Sequence, residues 1–123
     1  MKSNCIIAIV DDDQSIREAM GDFLRSYGYE SRSFSSAEDF LTYGERALID
    51  CILLDVKMHG LSGLELQAIL RGRTDPTPII FMTSHQEETI RKAAMAAGAH
   101  AFLGKPVDLK LLISHIEKLI GTR

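Results

Sequence analysis

Four short apolar runs, CIIAIV (5–10), CILL (51–54), PIIFM (78–82) and AFL (101–103), recur along the chain and are bounded by polar clusters. Each is too short for a helix and is rich in Ile, Val, Leu or Phe, as strands buried on both faces are. Between them the apolar residues fall at helical spacing: Ile16, Ala19, Met20, Phe23, Leu24 and Tyr27; Ile90, Ala93, Ala94 and Ala97; Leu109, Leu112, Ile113, Ile116 and Ile120. Asp13 and Asp108 stand where N-caps belong, Glu87 and Glu88 occupy a first turn, and Gly98 marks a helix stop. Gly21 lies inside the first helical segment, where it implies close packing. A weaker strand at 29–34 precedes Ser35-Ser36-Ala37-Glu38, which has the spacing of a capping box opening a helix through Phe40 and Leu41. Strand and helix thus alternate five times, and right-handed crossovers between parallel strands lay helices on both sheet faces. The expected fold is α/β: a five-stranded parallel sheet, doubly wound, with five helices.

The 123 residues suffice for one domain, expected over 1–123 with no linker or repeat. With 14 basic and 17 acidic side chains the net charge is −3, which speaks against direct contact with nucleic acid. A hydrophobic content of 46% supports a real core, and no uncharged run approaches the ~20 residues of a membrane helix. Cys5 and Cys51 lie within apolar runs and are expected to be buried thiols, as in a reducing cytoplasm.

Ligands of an open parallel sheet bind outside the carboxyl ends of its strands, so the residues there carry the chemistry. The first strand runs into Asp11-Asp12-Asp13, the third ends at Asp55, the fourth at Thr83-Ser84, and the fifth at Lys105-Pro106. Clustered carboxylates repel one another unless a cation lies among them, and hard oxygen donors suit Mg²⁺, which shares its remaining positions with phosphate. Lys105 and Thr83 supply an ammonium and a neutral donor for phosphoryl oxygens the metal does not reach. The rim is expected to handle a phosphoryl group.

These motifs resemble the receiver domain of bacterial two-component response regulators over essentially the whole chain. The resemblance rests on Ile9-Val10-Asp11-Asp12-Asp13, Ile52-Leu53-Leu54-Asp55, Met58 and Gly63 in the following loop, Thr83-Ser84, and Lys105-Pro106. It implies a flavodoxin-like sheet of strand order 2-1-3-4-5, an order carried over from the family. It implies that Asp55 accepts a phosphoryl group from a sensor histidine kinase, forming an aspartyl phosphate. Mg²⁺ (or Mn²⁺) is then held by Asp12, by Asp11 through water, by Asp55 and by the backbone carbonyl of Lys57. Lys105 pairs with phosphoryl oxygens, and the Lys105-Pro106 bond is expected to be cis. Thr83 moves toward the phosphoryl group, and Phe102, an aromatic two strands' width away, turns inward. The face made by the fourth helix, fifth strand and fifth helix changes shape and offers a route to homodimers. Such a domain catalyses only its own phosphorylation and slow dephosphorylation.

The sequence departs from the family at His59, often Pro there, which implies a freer loop. Lys57 and His85 occupy variable positions near the phosphoryl entrance and are expected to tune dephosphorylation. His100 and His115 are expected at the surface, and no zinc-ligand spacing links the four histidines. A haloacid dehalogenase-type hydrolase would need an Asp where Lys57 stands. Alternatives still open are a stand-alone receiver and a phosphorylation-independent interaction module, in which the Lys57 ammonium competes with a metal. The stretch 27–41 (YGYESRSFSSAEDFL) resembles receivers that precede helix-turn-helix DNA-binding domains, so the expectation is the N-terminal part of a transcriptional regulator.

Overall fold

The computed structural model describes residues 5–121, so residues 1–4, 122 and 123 of the expected domain lie outside the described residues. The elements run β1 (Ile6–Val10), α1 (Gln14–Ser26), β2 (Glu30–Phe34), α2 (Ala37–Leu41), a 3₁₀ turn (Arg46–Leu48), β3 (Cys51–Asp55), α3 (Gly63–Gly72), β4 (Ile79–Thr83), α4 (Glu88–Ala96), β5 (Ala101–Gly104) and α5 (Leu109–Ile120). All strand pairs are parallel and the sheet order is β2-β1-β3-β4-β5, as expected.

Period-2 alternation sends successive strand residues to opposite faces. Ala8, Val10, Ile52, Leu54, Ile79 and Phe81 join Phe40, Leu66 and Leu70 in one cluster, under α2, α3 and α4. Ile7, Ile9, Cys51, Leu53, Ile80 and Met82 join Met20, Leu24, Leu112 and Ile116 in the other, under α1 and α5. Strands β3 and β4 are buried at every position, which is why their sequences read as continuous apolar runs. Burial also pushes the Cys51 thiol up to about 12, with the Asp50 charge adding to the effect, so Cys51 serves as a small hydrophobe.

Asp13 caps α1 by accepting from the Ser15 and Ile16 amides, and Asp108 caps α5 by accepting from Leu111 N–H. At α2 the cap lies one residue later than expected: Ser36 accepts from Asp39 N–H, and Glu38 reaches across to the loop after β3, where it accepts from Leu61 N–H at 3.0 Å. No position of α3 was assigned from periodicity, yet a capping box was legible there: Ser62 Oγ accepts from Glu65 N–H, and the Glu65 carboxylate accepts from Ser62 N–H. The expected apolar faces are partly wrong. Tyr27 is 52% exposed at the end of α1, with its ring on Phe23, and in α4 only Ala94 is buried while Ala93 lies in solvent. Among the described residues no helix is long and apolar enough to cross a membrane.

These placements separate two substitutions. Leu53→Ala, at the fully buried centre of β3, is expected to cost about 2–5 kcal/mol in urea unfolding. Tyr27→Ala, which removes a half-exposed ring, is expected to cost no more than about 1 kcal/mol.

Candidate functional site

The carboxyl ends of β1, β3, β4 and β5 converge on one rim. Asp11 follows the last residue of β1 and is fully buried, Asp55 closes β3 at 7% exposure, and Asp12 is exposed beside them. Their carboxylate oxygens lie within 4.8 Å of one another. Lys105, just beyond β5, projects its ammonium into this group, 2.9 Å from Asp11 Oδ2 and 3.5 Å from Asp55 Oδ2. The Lys105-Pro106 peptide is cis, as expected.

Burial and then the charge of Asp11 push the Asp55 carboxyl above its ordinary value, and the nearby Lys105 ammonium does not cancel them. Burial pulls Lys105 down, but its hydrogen bond to Asp11 and the charges of Asp11 and Asp55 outweigh it, so the ammonium is held above its usual range. Three carboxylates against one ammonium leave the pocket anionic. Hard oxygen donors with an unbalanced negative charge fit Mg²⁺ or Mn²⁺.

The surrounding loops are tied down from several directions. Asp11 Oδ1 accepts from Asp13 N–H at 2.9 Å, and the Arg17 guanidinium donates to the Asp11 carbonyl at 2.7 Å. Gly63 is buried behind Asp55, where a Cβ would run into the Asp55 carbonyl and the Phe81 ring. Gly60 has φ +78°, with the Glu38 carboxylate filling the space a side chain would need. His59 lies against Asp12: its backbone N–H and Nδ1 are 3.3 and 3.2 Å from Asp12 Oδ2. Lys57 is exposed and lines a shallow hollow of about 270 Å³ with Asp12, Met58 and His59.

Thr83 ends β4 fully buried, but its hydroxyl is engaged in its own turn, where Oγ1 accepts from His85 N–H at 2.9 Å. The His85 side chain is exposed. Phe102 is half-buried on β5, the strand next to Thr83 and not two strands away; it pairs in register with Phe81, ring centroids 5.9 Å apart. His100 and His115, expected at the surface, are half-buried and meet each other.

A five-stranded parallel sheet of this order, with this rim, defines a receiver domain, and the chain belongs to the response regulator receiver domain family, whose profile matches residues 7–117. It is 39% identical over 111 residues to the response regulator protein TodT of Pseudomonas putida, covering 90% of this chain and 49% of TodT. It is 35% identical over 121 residues to the transcriptional regulatory protein FixJ of Azorhizobium caulinodans, covering 98% of this chain and 57% of FixJ. The chain thus spans about half the length of the curated relatives it matches. Among solved structures, the response regulator StyR superposes with TM-score 0.87 at 38% identity, covering 96% of this chain and 59% of that one. A response regulator receiver protein from Burkholderia phymatum gives 0.82 at 35% identity, with 97% of each chain covered.

The raised Asp55 carboxyl sets a pH dependence. The folded state binds this proton more tightly than the unfolded chain, so stability falls as pH rises from the unfolded value of about 3.9 through the higher folded value. Without divalent metal at about pH 7.5, Asp55→Asn is therefore expected to melt above the wild type, and the gap should close below about pH 3.5, where both side chains are neutral. Added Mg²⁺ should raise the wild-type melting temperature more than that of the variant.

Proposed function

We propose that this chain is the phosphoryl-accepting input domain of a response regulator, with Asp55 as the acceptor. The observation that carries the reading is the Lys105 ammonium between Asp11 and Asp55 at the rim. Asp55 Oδ attacks phosphorus in line; the bond from phosphorus to the kinase histidine nitrogen breaks, and the imidazole leaves with the electron pair. Asp55 is fixed in place by the end of β3 and by the buried contact with Gly63, so little reorganisation precedes attack. Lys105 then neutralises a phosphoryl oxygen in place of the Asp55 charge it faces beforehand. Asp11, Asp12, Asp55 and the Lys57 carbonyl would hold Mg²⁺ or Mn²⁺, which supplies charge neutralisation to the phosphoryl oxygens when bound.

Thr83 is the second phosphoryl contact in this reading. Its hydroxyl must leave the His85 amide to reach the phosphoryl group, which loosens the turn leading into α4. Phe102 stands beside Phe81 and is the aromatic placed to follow that movement, remodelling the face of α4, β5 and α5. That face is the contact for an output partner or a second copy of the domain. The relatives named transcriptional regulators support a cytoplasmic protein whose receiver precedes a DNA-binding output domain, with a sensor histidine kinase as phosphoryl donor and no DNA contact by the receiver itself.

Incubation with Mg²⁺ and acetyl phosphate, followed by intact mass measurement, tests the reading. Wild type is expected to gain one phosphoryl group, Asp55→Asn none, and Lys105→Ala at a rate at least tenfold lower. No gain in the wild type would leave a phosphorylation-independent interaction module, and sustained release of phosphate would indicate a hydrolase.

Lys57 and His85 lie on the loops after β3 and β4 and are both exposed, and in this reading they control the approach of water to the acyl phosphate. Lys57→Ala with His85→Ala is expected to change the phosphoryl half-life several-fold, followed by mass after the donor is removed. An unchanged half-life would remove both residues from the mechanism.

A further inference from the structure

His100 immediately precedes β5, and its backbone N–H donates to the Ile79 carbonyl at 2.8 Å, which fixes it to the sheet. His115 lies on α5 beside the buried Ile116. The rings meet nearly at right angles, 85° with centroids 5.1 Å apart, and His100 Nε2 lies 3.2 Å from His115 Nδ1. Two ring nitrogens at that distance share a single proton, one donating to the other. They also stand where two ligands of one ion stand: with Zn–N bonds of about 2.0–2.1 Å, a 3.2 Å separation subtends about 100° at the metal, close to the tetrahedral angle.

We propose that His100 and His115 form a second metal site, which binds a borderline transition ion such as Zn²⁺ in place of the shared proton and bolts α5 to the start of β5. Both rings are half-buried, so water completes the coordination. Imidazole nitrogens suit Zn²⁺, Ni²⁺ or Cu²⁺ and bind Mg²⁺ poorly, whereas the all-oxygen rim accepts Mg²⁺, so excess Mg²⁺ competes for the rim and leaves the histidine pair to the transition ion. They also sit at opposite ends of β5: five residues from His100 to Lys105 span about 16 Å of extended chain. Burial, then His100, then Lys118 on the same helix disfavour the charged form of His115, which leaves its nitrogen open to a metal at neutral pH.

The test is a Zn²⁺ titration of the chain in excess Mg²⁺, read on the ring nitrogens of all four histidines by ¹H–¹⁵N spectroscopy and for stoichiometry by calorimetry. His100 Nε2 and His115 Nδ1 should shift together at one equivalent, with His59 and His85 unmoved. His100→Ala and His115→Ala should each weaken Zn²⁺ binding at least tenfold, while Asp55→Asn leaves it unchanged. Movement of His59 alone would place zinc at the acidic rim through Asp12 and overturn the proposal. So would Zn²⁺ binding by both alanine variants equal to that of the wild type. The wild-type ring shifts decide the matter even where a variant does not fold.

Discussion

Three carboxylates within 4.8 Å of one another are an unstable arrangement unless positive charge is brought to them. The Lys105 ammonium meets that requirement in the resting domain, 2.9 Å from one carboxylate and 3.5 Å from another. Because Lys105 is only 16% exposed and Asp11 wholly buried, the interaction is little screened, and each partner would be costly to leave alone. Removing one charge without the other therefore disturbs the whole rim. The pocket remains anionic even so, and that residual charge suits it to a divalent cation.

The sheet makes this arrangement affordable. Parallel strands deliver their carboxyl ends to one edge, so residues separated by 94 positions, Asp11 and Lys105, meet without any local sequence signal. Behind the rim, every residue of β3 and β4 is buried between two apolar clusters, so the strand ends are held by the most deeply buried part of the sheet. Glu38 and Arg17 extend that support outward. One fixes the loop after β3 through Leu61 N–H, and the other grips the Asp11 carbonyl.

Much of this was legible in the sequence. Buried parallel strands announce themselves as apolar runs, and the charged residues that end them follow directly, which is why Asp11, Asp12, Asp55, Thr83 and Lys105 could be picked out in advance. Helix faces were less readable. Ala93 and Ala97 fit a helical stripe but lie exposed, because alanine at helical spacing does not distinguish a buried face from a bare one. Contacts made by side chains across the fold left no signal at all. Glu38 had the spacing of a local cap and instead supports a distant loop, and His100 and His115 meet only because α5 runs back along β5.

Helix α4 is the most weakly seated of the elements around the rim's fourth strand. Only Ala94 is buried on this helix, and its cap residue Glu87 makes no side-chain bond to the first turn. The Gln67 amide, itself buried on α3, donates to the Ala94 carbonyl at 2.9 Å and supplies one polar tether near the carboxyl end of the helix. The amino end is governed by the segment from Thr83 to Glu87, where the Thr83 hydroxyl holds the His85 amide and Gln86 packs against Gly104 of β5. A helix tethered near one end by Gln67 and seated at the other by Ile90 and the Thr83–Gln86 turn has few bonds to break before it pivots. On the function proposed above, drawing the Thr83 hydroxyl toward the rim would free the amino end while Gln67 keeps the carboxyl end in place. A small displacement at β4 would thereby become rotation of an exposed helix, at the cost of one hydrogen bond worth about 1 kcal/mol.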